Sequence, residues 1–421
     1  MQKRLFSLLF ISLWLPGTPA LSNGFDVNSL SDALGIALSA NDRNSAAATL
    51  RAYAAAGSQR ALAIAIGDDN RIITGWSGDQ ALAVQAAGMA LRRCEATRAS
   101  LADRFPSGCE VLLAGDQWLT PTRRLLDGVG PDTPANVWRV EGKGGVLYLA
   151  GSIHVLKPAL YPLPDAFEHA FSEADRIALE IDPLRAGDAD RVATMQSMIA
   201  AEPANVRASL TPELMDALNA ILTERGIAQD VAMRMQPAML ATQLSVLALG
   251  DMGLTPELGI DIHFARRAAL AGTSILELET IREQMLALTG APLEAQALML
   301  SRTLEQLHNP AQAIDSLLRG WLQADADGLH ALMMADFTGS PVLERMGRQL
   351  LDDRNVRMLA HIRQWLDEPP VTLVIVGAGH FGGPRGLLAL LREAGYQPRQ
   401  LSRAGIPLPV PMAQPNAGVQ R

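Results

Sequence analysis

Two short apolar stretches in this chain end in the same four-residue pattern, Gly-x-x-His. Val146–Ala150 runs into Gly151-Ser152-Ile153-His154, and Leu373–Val376 runs into Gly377-Ala378-Gly379-His380. Short aliphatic runs of this kind predict buried strands. Parallel strands deliver their carboxyl ends to one edge of a sheet, where open α/β folds place ligands. Glycine lets the backbone turn sharply off the strand. The repetition therefore predicts an α/β fold with a mixed or parallel sheet.

Two imidazoles brought to one edge can bind a transition metal. A nearby carboxylate would complete a two-His, one-carboxylate face with positions left open to water. Taken singly, each His is explained equally well as a hydrogen-bonded loop residue at a strand end. The repetition favours a shared site.

The chain has 421 residues, 48% of them hydrophobic, enough for two or three domains. Met1–Ala20 reads as a secretory signal: Lys3 and Arg4 give a positive start, Leu5–Leu15 an apolar stretch, and Thr18-Pro19-Ala20 a small-residue cleavage site. The expected location is periplasmic or secreted. That apolar stretch is shorter than the roughly 20 residues that span a bilayer, no cysteine follows it to carry a lipid, and no later segment is apolar enough to span. A net charge of −8 without a basic stripe argues against nucleic acid as a partner. The two cysteines, Cys94 and Cys109, are expected to form a disulfide worth about 3 kcal/mol in an oxidising compartment.

Residues 25–118 read as a small α/β module. Helical spacing over Ser29–Ala56 is followed by strands Ala61–Ile66 and Arg71–Thr74, a helix over Asp79–Ala96 and a strand Glu110–Ala114. The module carries no His and no evident catalytic cluster. Residues 119–135, with Pro121, Gly128, Gly130, Pro131 and Pro134, read as a linker.

Residues 136–403 form the expected second domain. It opens with a hairpin, Val137–Val140 and Val146–Leu149, then the first motif, a helix Asp165–Ala174 and a strand Arg176–Ile181. From Ala186 to Leu249 the pattern predicts a large helical insertion, with Thr211 capping and Pro212 opening one helix. A helix Gly259–Ala271, a strand Thr273–Glu279 and helices across Ile281–Leu366 follow. Strand Val371–Val376, the second motif, helix Arg385–Ala394 and strand Gln397–Leu401 close the domain. The Pro-rich tail, residues 404–421, is expected to be disordered.

Several chemistries are excluded or disfavoured. Gly377-Ala378-Gly379-His380-Phe381-Gly382 fits a dinucleotide fingerprint, but too little chain follows for that fold, and Ser402 and Arg403 stand where an acidic ribose partner belongs. There is no His-Glu-x-x-His, no Gly-x-Ser-x-Gly and no Gly-x-x-x-x-Gly-Lys loop. Ser152 reads as a hydrogen-bonding loop residue rather than a nucleophile.

Gly151–His154 with Tyr161-Pro162-Leu163-Pro164, Leu179-Glu180-Ile181-Asp182, Gly259-Ile260-Asp261, Leu276-Glu277-Leu278-Glu279-Thr280 with Gln284, Arg354-Asn355, and Val376–His380 with Gly382 occur in an order that resembles the TraB/GumN family. The likeness covers about Asn136–Leu401. It implies a core related to the erythromycin-esterase and ChaN-like group. Through the animal Tiki proteins it also implies a divalent-metal-dependent protease. The N-terminal module lies outside the likeness.

His154 and His380 are the candidate metal ligands, for Mn, Co or Zn alike. Glu180, at the end of one expected strand, is a candidate third ligand or general base. Glu279, at the end of another, competes for the same work. Leu179 and Ile181 flank Glu180 as alternate apolar positions, so a regular strand could turn Glu180 to either face. Arg354 is a candidate for orienting a carboxylate or stabilising an oxyanion, with a surface ion pair as the plain alternative. Gly151, Gly377, Asp261 and Asn355 are candidate supporting residues, Asp261 through the likeness alone.

His169, His263, His308, His330 and His361 read as ordinary helical residues, and Asp261 and His263, two apart on a helix, as poor joint ligands. The expected activity is metal-assisted hydrolysis of a peptide or protein bond. The competing reading is a non-enzymatic periplasmic binding or regulatory protein, for haem, a peptide signal or polysaccharide export. Oligomeric state is not legible.

Overall fold

The computed structural model describes residues 25–409, apart from residues 58, 81, 186, 190, 191, 193–205, 207–209 and 308–310. The expected signal segment, most of the tail, His308 and much of the start of the helical insertion lie outside the described residues. Among the described residues no helix is long and apolar enough to cross a membrane.

The N-terminal strands β1 (Ala61–Ile66), β2 (Ile72–Ser77), β3 (Glu110–Ala114) and β4 (Gln117–Trp118) form an antiparallel sheet in the order β2-β1-β3-β4. Side chains alternate across β1. Leu62 and Ile64 pack with Leu30, Leu34, Leu50 and Tyr53 of helices Val27–Leu34 and Ala40–Ala55. Ala61, Ala63 and Ala65 share the opposite core cluster with Ala86, Ala87 and Ala90 of helix Ala83–Ala99. Cys94 of that helix is bonded to Cys109, just before β3, as a disulfide.

Six further strands make the mixed sheet of an α/β fold. These are β5 (Pro134–Glu141), β6 (Val146–Ser152), β7 (Arg176–Leu179), β8 (Ser274–Glu277), β9 (Thr372–Gly377) and β10 (Arg399–Ser402), in the order β10-β5-β6-β9-β7-β8. The pairs β10–β5 and β5–β6 are antiparallel, whereas β6–β9, β9–β7 and β7–β8 are parallel.

Both faces of this sheet are covered. Tyr148, Ala150, Ile177, Leu373 and Ile375 belong to one core cluster with Phe167, Phe264 and Trp321 of helices Asp165–Glu173, Ile260–Ala271 and Ala311–Leu322. Leu147, Leu149, Ala178, Val374 and Val376 join Met358, Ile362, Leu387 and Leu391 of helices Asp352–Leu366 and Leu387–Glu393 on the other. Burial on two faces explains why β6 and β9 read as continuous apolar runs rather than alternating ones.

The described part of the helical insertion comprises Pro212–Glu224, Gln229–Arg234 and Pro237–Asp251. Leu218, Ile221, Leu240 and Leu244 cluster with Leu300 and Leu304 of helix Leu293–Gln306. The Thr211 hydroxyl accepts the Leu214 N–H at the first of these starts.

Residues 119–135 do not hang free between the sheets. Leu119, Leu125 and Ala135 are buried in the cluster that contains both Ala61 and Ile375, so one core runs through both parts. Polar contacts fix the same segment: the Thr120 N–H donates to Asp315 at 2.9 Å, and the Thr122 N–H and hydroxyl donate to Glu110 at 2.9 and 2.8 Å. The Pro and Gly content marks the turns, and the interspersed leucines do the packing.

Candidate metal centre

The two Gly-x-x-His motifs lie side by side because β6 and β9 are parallel neighbours, with Gly151 opposite Val376 and Ser152 opposite Gly377. Past β6 the chain enters a loop carrying His154. Past β9 it enters a short 3-10 turn, Ala378–His380, that buries His380. Neighbouring β7 stops at Leu179, two residues before the expected end, and the chain then delivers Glu180 to the same edge, 5% exposed.

These three residues converge. His154 Nε2 lies 4.0 Å and His380 Nε2 3.8 Å from the same oxygen, Glu180 Oε1. The Gly377 N–H donates to that oxygen at 2.8 Å. A Cβ on Gly377 would stand 3.4 Å from Glu180 Oε1, 3.4 Å from His154 Nε2 and 3.6 Å from His380 Cδ2, in the space the three groups surround.

Each imidazole is held from behind. His154 Nδ1–H donates to Asp261 Oδ2 at 2.8 Å, and the buried Ser152 hydroxyl donates to Asp261 Oδ1 at 2.9 Å. His380 Nδ1–H donates to Asn355 Oδ1 at 2.7 Å, while Asn355 Nδ2 donates to the Arg385 carbonyl. Both rings thereby turn Nε2 toward Glu180, the arrangement that partners behind metal-ligating histidines impose. Asp261 reaches His154 because Gly259 opens its helix against the His154 loop. A Cβ there would lie 2.3 Å from the His154 carbonyl oxygen, and the Ile260 N–H donates to Ile153 O at 3.1 Å.

Behind Glu180 lies a buried ionic cluster. Arg354, at the start of helix Asp352–Leu366, binds Glu180 Oε2 through Nη2 and grips Glu279 through both Nε, at 3.0 Å, and Nη2. Gln284 Nε2 stands 3.4 Å from each carboxylate. Glu180 thus faces the imidazoles, whereas Glu279 faces Arg354 and pairs with neither imidazole among the described residues. The two glutamates that compete in the sequence are separated by geometry.

The charges follow. Burial pushes the Glu180 carboxyl up, but Arg354 and the two imidazoles overcome it and hold the group well below the carboxylate range. One guanidinium cannot serve two carboxylates equally, and burial with repulsion from Glu180 leaves Glu279 raised. The Asp261 carboxylate lifts His154 to about 9, while solvent at its side chain, 63% exposed, screens part of that field. His380, 3% exposed, is pushed down to about 4 by burial and is neutral at pH 7.

Two imidazole nitrogens and one carboxylate oxygen are the donors a divalent transition metal takes. Their chemistry fits such an ion. Their spacing is wider than the about 3.4 Å between two donors bonded at about 2.1 Å to one tetrahedral ion, and among the described residues no group of three or more His, Cys, Asp or Glu stands arranged to hold one.

Other candidates fall elsewhere. Gly151 packs behind the site, where a Cβ would be 3.2 Å from both Asn136 and Ala378 side chains. His263 lies beside Arg267 and Tyr161. His330, which nothing in the sequence distinguishes from other helical histidines, packs on the second motif with Nδ1 3.3 Å from Gly379 O. Met333, one turn further on, sits where a Gly379 Cβ would be.

A mixed α/β sheet whose adjacent parallel strands present two histidines and a buried glutamate at one edge defines the class. Residues 136–400 match the TraB/PrgY/gumN family, and the chain belongs to that family. No curated protein and no solved structure matches the chain.

Proposed function

We propose that this chain is an exported, divalent-metal-dependent hydrolase that cleaves peptide bonds. The observation that carries the reading is the convergence of His154 Nε2 and His380 Nε2 on Glu180 Oε1 around the open side of Gly377. Family membership and the secretory pattern of Met1–Ala20 are consistent with it.

In this reading His154, His380 and Glu180 hold Mn, Co or Zn. When bound, such an ion supplies a Lewis acid and lowers the pKa of water. Asp261 and Asn355 fix the two rings so that Nε2 faces inward. Arg354 occupies Glu180 Oε2 and leaves Oε1 for the site, and Glu279 holds Arg354 in place. Glu180 stays ionised at neutral pH, as a carboxylate that binds a metal must. The exposed side of His154 gives the substrate its approach.

The test is hydrolysis of a mixed peptide pool by purified protein supplied with Mn, Co or Zn, alongside Glu180→Gln. Glu180→Gln removes the one anionic donor and is expected to abolish metal-dependent cleavage. Undiminished cleavage by Glu180→Gln would remove Glu180 from the chemistry.

A second reading, a periplasmic binding or regulatory protein without turnover, draws on one observation, the 3.8–4.0 Å spacing of the donors. Metal that binds without any peptide cleavage would favour it, and a visible absorption band in the purified protein would point to haem.

A further inference from the structure

A cavity of about 860 Å³, within the range of ligand pockets, opens between the N-terminal part and the family domain. One wall comes from the N-terminal part, through Ile66, Leu91 and Leu126; the other comes from the family domain, through Pro158, Met252 and Leu258. The first wall lies outside the family match, which begins at residue 136.

The second wall is built from the segments that carry the site. Lys157 lines the cavity three residues after His154, and Leu258 three residues before Asp261. Three residues span at most about 11 Å. Tyr161, which also lines the cavity, donates its hydroxyl to Leu258 O at 2.8 Å and packs against His263 on the Asp261 helix.

Lys157, Glu110 and Glu95 along these walls already have protein partners. Lys157 Nζ bonds Glu110 at 3.2 Å, Glu110 accepts from Thr122, and Glu95 accepts from the Cys109 N–H and from Arg98. The lining charges Asp68 and Arg123 are exposed. A saccharide would find few free partners among the groups so engaged, whereas an apolar side chain needs none.

We infer that this cavity is a recognition pocket for a large apolar side chain of the peptide substrate, three or four residues from the bond at the metal centre, and that the N-terminal part exists to form its outer wall. The inference rests on the peptidase reading for the identity of the occupant. The packed 119–135 segment holds the two walls in register.

The experiment measures anisotropy of two fluorescein-labelled, capped tetrapeptides, Leu-Leu-Phe-Leu and Gly-Ser-Gly-Ser, with the purified protein, following their integrity by mass spectrometry. Ile66→Trp and Leu258→Trp fill the cavity from opposite walls at half-buried positions, and matched thermal melts identify whichever variant is folded. The expected result is saturable binding of the apolar peptide only, at least about tenfold weaker in the filled variants. Equal binding of both peptides, or parental affinity in the folded variants, would overturn the inference. Binding without cleavage would leave the pocket standing and remove the peptidase reading. Cleavage with no apolar preference would do the reverse.

Discussion

Ser152 and Gly377 stand opposite each other in the parallel pair β6–β9, and this single register brings two motifs 226 positions apart in the chain to one edge of the sheet. The Ser152 hydroxyl fixes Asp261 behind one imidazole, and the Gly377 N–H fixes Glu180 between both. The consequences can be measured.

Gly377→Ala should fold and fail to bind metal. Gly377 has φ −51°, which alanine adopts freely, and its new methyl would meet the three donor groups at 3.4–3.6 Å. Stability should change by less than about 1 kcal/mol, while metal content after reconstitution should fall to background. Urea unfolding and elemental analysis check the two halves.

Arg354→Met should be severely destabilising. It leaves Glu180 and Glu279 buried beside each other without their shared cation, a loss of about 3–5 kcal/mol. Adding Glu180→Gln and Glu279→Gln should recover much of it, because the uncompensated charges go with the cation. Chemical denaturation of the single and triple variants measures both effects.

The two imidazoles should give opposite pH signatures in metal-free protein. His154 is raised from 6.5 to about 9, so its stabilisation is complete below 6.5 and is lost as pH rises toward 9. The Tm advantage of the parent over His154→Gln should shrink across that window. His380 is lowered from 6.5 to about 4, so the folded state resists a proton that the unfolded chain takes. The Tm of His380→Gln should gain on the parent as pH falls from 6.5 to 4. Melting curves at closely spaced pH values read both.

Cys94→Ser with Cys109→Ser removes a cross-link of sequence separation 15 and should cost about 3 kcal/mol. Unfolding of the parent with and without reductant provides the comparison.

The strands and the histidines were legible because burial on two faces writes an apolar run, and a glycine followed by a histidine marks where the run must stop. Which glutamate faces the imidazoles was not, since Leu179 and Ile181 allow Glu180 either side and only the end of β7 at Leu179 decides it. Asp261 stood out through family likeness alone, and its bond to His154 was not legible, for it depends on Gly259 meeting the His154 carbonyl across 105 positions of sequence. His330 and Met333 on the second motif left no signal, because a helix's sequence shows which face is buried but not what covers it.

Metal content of purified protein after reconstitution with Mn, Co or Zn, measured alongside His154→Ala and His380→Ala, tests the shared centre most directly. One equivalent of divalent metal is expected in the parent, and its loss in both variants. Metal retained in either variant, or none in the parent, would contradict the shared centre.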